Sequence, residues 1–88
     1  MEALTDAGVG MGLDRATARD LTIQTLAGAA ALAAQTNASF SELKDRITSP
    51  GGTTIAGLQV MERAGLRGML IDAVEAATKR AEELQTRA

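Results

Sequence analysis

Cysteine, histidine, tryptophan and tyrosine are all missing from this chain, and Phe40 and Pro50 are its only aromatic residue and its only proline. Without cysteine there is no disulfide and no thiol chemistry, which fits a reducing compartment. Without histidine a Ser-His catalytic pair is excluded, and a transition-metal site would need carboxylates alone. With one aromatic ring there is nothing to stack bases. The 9 basic residues are interspersed with 11 acidic ones for a net charge of −2, so no cationic patch attracts a phosphate backbone. Nucleic acid is therefore not an expected partner. Long hydrophobic runs are lacking too. The apolar stretch Leu26 to Ala34 is far shorter than the roughly 20 residues a membrane-spanning helix requires, and Met1-Glu2-Ala3-Leu4-Thr5-Asp6 has no basic leader character. The expectation is a soluble, cytoplasmic chain with no membrane partner.

What is present is alanine, small residues and helical spacing. At 88 residues and 9.1 kDa the chain has room for one domain, residues 1–88. Chains of this size bury only about 60–65% of the surface they expose when unfolded. Each buried CH₂ contributes roughly 0.8 kcal/mol, so a core built largely of alanine is weak for the number of residues it orders. Extra burial against a second subunit is the simplest remedy, and an oligomer is expected.

The periodicity is helical throughout, with no strand pattern. Residues 2–9 read as a helix with Ala3, Leu4 and Ala7 on one face, broken by Gly8, Gly10 and Gly12. No capping residue precedes it, so it reads as a helix entered part-way and the chain as a fragment. Asp14 is a good N-cap for a second helix over 15–35. Its apolar positions are Ala18, Leu21, Leu26, Ala29, Leu32 and Ala33, and from Leu26 to Ala34 it is small or apolar all round, which predicts burial on most sides. Gly28 costs that helix about 1 kcal/mol relative to alanine, which a close helix crossing would justify. Ser39 with Glu42 suits a capping box for a short helix to about Arg46, edged by Phe40, Leu43 and Ile47. A fourth helix over 53–64 points Ile55, Leu58 and Met61 inward and ends at Gly65, a good C′ residue. The fifth, over 66–86, carries the stripe Leu66, Met69, Leu70, Ala73, Val74, Ala77, Ala81 and Leu84, with Glu75 and Lys79 suited to an i,i+4 pair. The fold class is all-α, a small bundle of about five helices.

One loop carries potential chemistry: Thr48-Ser49-Pro50-Gly51-Gly52-Thr53-Thr54. Consecutive glycines before a helix let the backbone approach a ligand and leave several amides pointing one way, toward which the helix dipole also draws an anion. Ser49, Thr53 and Thr54 add hydroxyls. The same residues also read as common punctuation, Pro-Gly-Gly between helices and serine or threonine as an ordinary helix start. A phosphate-binding P-loop is not supported, because no lysine follows the glycines and no strand precedes them.

The stretch from Leu43 to Leu58, LKDRITSPGGTTIAGL, resembles the signature of the pyrroline-5-carboxylate reductases, the last enzymes of proline biosynthesis. Glu2 to Val9 with Gly12-Leu13 resembles the opening of their C-terminal domain, Gln24 to Ala30 its central helix, and Asp72 to Thr78 its last one. The resemblance implies an oxidoreductase domain that intertwines into a homodimer, which in the family often assembles further into a ring of dimers. In that family the cyclic imine 1-pyrroline-5-carboxylate is reduced to L-proline by hydride from NADPH or NADH. By the same resemblance, Ser49, Gly51, Gly52 and Thr53 bind the substrate carboxylate, mainly through backbone amides, and Thr54 stands at the ring nitrogen as the catalytic position. Threonine is a poor acid, so an orienting role is expected of it. The family's N-terminal Rossmann domain has no counterpart among these residues, so this chain is expected to bind no cofactor and to be inactive alone. Two other readings remain: a purely structural helical oligomerisation module, and an unrelated anion-binding regulatory module.

Overall fold

The computed structural model describes residues 1–86. They form five helices and, among the described residues, no strand: α1 (Glu2–Gly10), α2 (Arg15–Gln35), α3 (Phe40–Arg46), α4 (Thr53–Ala64) and α5 (Leu66–Thr86). The chain divides into two compact units, the first running from Met1 to Lys44 and the second beginning at Asp45.

In the first unit α1 folds back onto α2. The hairpin is turned by Gly12, whose φ of 107° lies where side chains are rarely tolerated. Asp14 then caps α2, its carboxylate accepting from the Thr17 amide at 2.8 Å. That hydrogen bond favours the ionised form and holds the Asp14 carboxyl below its ordinary pKa of 3.8. Arg15 and Asp6 add an exposed ion pair at 2.7 Å across the hairpin. Gly8 and Gly10 do not break α1. They lie inside it, and Gly8 is where the two helices touch, since a Cβ there would stand 3.1 Å from the Ala18 Cβ. Beside that contact Thr22 is buried. Its hydroxyl donates to the Ala18 carbonyl at 2.9 Å and accepts from the Thr5 hydroxyl at 3.2 Å, so the buried oxygen is satisfied.

Among the described residues Ala18 and Thr22 are the only buried ones. Within the single chain the burial expected of Leu26 to Ala34 is not formed. Leu26 and Leu32 are 41% and 48% exposed, and Gly28 has no atom near the place a Cβ would take. No element of the first unit covers that stretch of α2.

The second unit holds α4 and α5, joined by Gly65. Gly65 adopts φ 78°, ψ 34°, and its N–H reaches the Glu62 and Met61 carbonyls, so the expected left-handed cap is present. Arg67 pairs with Glu62 at 2.7 Å, which raises its guanidinium pKa. On α5 the ion pair is Arg80 with Glu83 at 3.1 Å; Glu75 and Lys79, expected to pair, do not. Every residue of α5 beyond Leu66 is exposed, its apolar stripe included: Met69, Leu70 and Val74 face solvent. Ahead of the second unit, the Ser39 half of the expected capping box is formed, with Oγ accepting from the Glu42 amide at 3.2 Å.

Candidate functional site: the turn that opens α4

The loop between α3 and α4 is a tight turn set directly on a helix. Pro50 supplies a fixed φ at the first corner, and Gly51 takes φ 67° at the second. The Gly52 N–H closes the turn by donating to the Ser49 carbonyl at 3.1 Å. This is the pattern of a type II turn, where Pro and then Gly are the favoured corner residues. Gly52 is the N-cap of α4 and contributes no side-chain capping bond. Its carbonyl accepts the Ala56 amide at 3.3 Å, the first hydrogen bond of the helix.

The consequence is a set of amides at one end of a 12-residue helix with no capping side chain over them. The first-turn N–H groups of Thr53, Thr54 and Ile55 have no acceptor within the helix. They lie at the positive end of the helix dipole, which favours an anion there by about 0.3–1 kcal/mol when exposed and more when partly buried. The side chains around them are neutral. The hydroxyls of Ser49, Thr53 and Thr54 hold no hydrogen bond to any described residue.

Of the residues singled out from sequence, the fold therefore brings Ser49, Gly51, Gly52, Thr53 and Thr54 into one turn. Ser49, Gly51 and Thr53 are exposed, while Gly52 and Thr54 are half-buried. Their roles in the turn differ. The Gly52 N–H is used by the turn itself, whereas the Ile55 N–H, not singled out from sequence, is open. Counting three amides inward from the expected helix start at Thr53 would have found it. Two other hollows lie between α1 and α2, one of about 280 Å³ that includes Thr5, Arg15 and Arg19, and one of about 150 Å³ that includes Leu4, Gly8 and Leu21. Among the described residues no group of acidic side chains is arranged to hold a metal ion, and no helix is long and apolar enough to cross a membrane.

A sequence-family model described as pyrroline-5-carboxylate reductase dimerisation matches residues 1–84. The chain belongs to this family. As a pyrroline-5-carboxylate reductase dimerisation domain it is similar to the reductase of Synechocystis, 50% identical over 84 residues that make up 96% of this chain and 32% of the relative. With that of Pisum sativum the identity is 51%, over 96% of this chain and 31% of the relative. Among solved structures, the pyrroline carboxylate reductase of Plasmodium falciparum, crystallised with NADP bound, superposes with a TM-score of 0.87 at 38% identity. That match covers 90% of this chain and 32% of the other. The Streptococcus pyogenes 1-pyrroline-5-carboxylate reductase gives 0.81 at 40% identity, covering 84% of this chain and 29% of the other. The chain thus spans about a third of the length of the curated relatives it matches.

The spaced glycines of this dimerisation domain do not form a dinucleotide fingerprint. The spaced glycines Gly8, Gly10 and Gly12 superficially suit a dinucleotide fingerprint, but Gly8 and Gly10 lie inside α1 and Gly12 turns the hairpin behind it. The fingerprint needs glycines after a strand and at the start of a helix.

Proposed function

We propose that this chain supplies the dimerisation surface and the substrate-carboxylate cradle of an NAD(P)H-dependent pyrroline-5-carboxylate reductase, and that it turns over no substrate alone. The observation that carries the cradle is the uncapped amino end of α4 behind its Pro-Gly-Gly turn, in a chain that belongs to this family. A carboxylate seated there accepts from the Thr53, Thr54 and Ile55 amides, with the Ser49 hydroxyl and the amides around Gly51 at its edge. The Thr54 hydroxyl then orients the ring nitrogen. A nicotinamide held by residues other than these would supply the hydride.

The dimer is supported by surface that the chain leaves uncovered in both units: Leu21, Leu26 and Leu32 on α2, and Met69, Leu70 and Val74 on α5. An intertwined second copy covers both and makes residues 1–88 one domain. A cytoplasmic location is part of the same proposal, and cell fractionation checks it.

Titration of the chain with L-proline, followed by amide NMR, tests the cradle. Shifts gathered at Thr53, Thr54 and Ile55 support it. Their absence at millimolar ligand favours the purely structural module, for which the exposure of Ser49, Gly51 and Thr53 speaks. NADPH-dependent turnover by the chain alone would refute its inactivity.

A further inference from the structure

α5 is the longest element of the second unit and the one that unit supports least. It runs 21 residues, Leu66–Thr86, and all but Leu66 are exposed. No described residue of the second unit is buried. The apolar stripe stands in water along the whole helix, with Met69 57%, Val74 66% and Leu84 52% exposed. Such a helix has only its own backbone and surface pairs to offset the conformational entropy of ordering it. Its composition supplies little. Gly68 has no atom near the place a Cβ would take, so no close contact compensates for its poor helix propensity. Ile71, Val74 and Thr78 lose side-chain freedom in a helix, and the Arg80–Glu83 pair is exposed on both sides, where an ion pair contributes little. An isolated helix of this kind is marginal in water, because most helical stability in proteins comes from packing an amphipathic face.

The first unit differs. Ala18 and Thr22 are buried there, and the Thr5 hydroxyl and the Arg15–Asp6 pair tie α1 to α2. The face that α5 needs covered is one-sided: Met69, Ala73, Val74 and Ala77 share it at helical spacing, and Glu75, Lys79 and Glu82 lie opposite. Covering the stripe therefore leaves those charges in water. The chain belongs to a family of dimerisation domains, which makes a second copy the cover. We propose that α5 is a helix only against a second copy of this chain, so that its folding and association are one step. In the unassociated chain residues 66–86 are then an unfolded segment that pays its ordering entropy at the moment of pairing. This rests on the dimer reading above and adds to it that the monomer presents no ready-made α5.

The test is NMR on the full chain, with its mass read by translational diffusion in the same tube and dissociation driven by dilution and by warming. The Cα shifts of Met69, Val74 and Ala77 should fall from helical to coil values in step with the dissociated fraction. Amide exchange at those residues should accelerate by about a hundredfold or more on dissociation, and the midpoint of the loss should rise with chain concentration. A monomer whose α5 keeps helical shifts overturns the proposal. Warming alone also melts helices, so Leu26→Asp combined with Leu32→Asp supplies a monomer at the starting temperature. Both leucines are already 41% and 48% exposed in the single chain, and the variant changes no residue of α5. Coil shifts at Met69, Val74 and Ala77 are expected there too, whatever becomes of α2, and helical shifts overturn the proposal. An unmodified chain whose diffusion is monomeric at every concentration also overturns it. In that case the dimer reading has failed, an outcome the mass alone separates from a dimer whose monomers hold α5 folded.

Discussion

Leu32→Ala should separate a surface leucine from an interface one. Leu32 is 48% exposed in the single chain. Full burial of a leucine side chain is worth about 1.5–3 kcal/mol relative to leaving it in water, so covering the remaining half against a second copy contributes about 1 kcal/mol. In a two-fold dimer the residue occurs twice, which makes about 2 kcal/mol per dimer. Truncation to alanine should therefore weaken the dimer roughly thirtyfold. Helix propensity does not offset this loss through the folded monomer, because alanine and leucine are both strong helix formers. The assay is sedimentation equilibrium across a micromolar concentration series, with circular dichroism on the same samples to show that α2 persists. A surface leucine with no partner would change stability by no more than about 0.5 kcal/mol and leave association untouched. An unchanged dimer constant in Leu32→Ala, or an unmodified chain that stays monomeric at those concentrations, would refute the reasoning.

Other perturbations probe other parts of the chain. Gly8→Val places branched carbons where even a Cβ is only 3.1 Å from Ala18, and should destabilise the α1–α2 hairpin by about 1–3 kcal/mol in chemical denaturation. A neutral result would mean that the crossing is not tight. For Asp14 the folded pKa lies below the ordinary 3.8, so its ionised cap stabilises the fold above that value and the gain disappears as pH falls through the lower, folded pKa. The thermal midpoint should therefore drop through this acid range in the unmodified chain and less steeply in Asp14→Asn, which caps without titrating. Parallel curves would remove Asp14 from the account. In a complete reductase built on this domain, Thr54→Ala should lower kcat/KM by on the order of tenfold or more, whereas Ser41→Ala on α3 should do little. The reverse order would dismiss Thr54 as the polar contact to the ring nitrogen.

The turn at Ser49 was partly visible in the sequence. Pro50, Gly51 and the threonines announce a turn running into a helix, because turn and cap chemistry acts within a few residues. The resemblance of the motif to the family adds the carboxylate proposed for it. The pairing of Ser49 with Gly52 was not visible. Gly51 and Gly52 look alike as letters, yet Gly51 takes a φ of 67° while Gly52 has an ordinary φ with the Ser49 hydroxyl and carbonyl over the place a Cβ would take.

The same division runs through the fold. The bounds of α2, α4 and α5 follow from Asp14, the Pro-Gly-Gly turn and Gly65, since helix starts and stops are written in hydrogen bonds that span three to five residues. Which helical glycine makes a close crossing is a different question. Within the first unit the close crossing is at Gly8, because the path of the α1–α2 hairpin brings two backbones together there; the crossing expected of Gly28 is one between subunits. Thr22 is buried for the same reason: it faces α1, and its hydroxyl is satisfied by Thr5 and by its own helix. Local sequence determined where the helices are and what kind of turn opens α4. Tertiary structure alone decided which surfaces meet within each unit and which remain uncovered, because packing joins residues whose separation along the chain leaves no local trace.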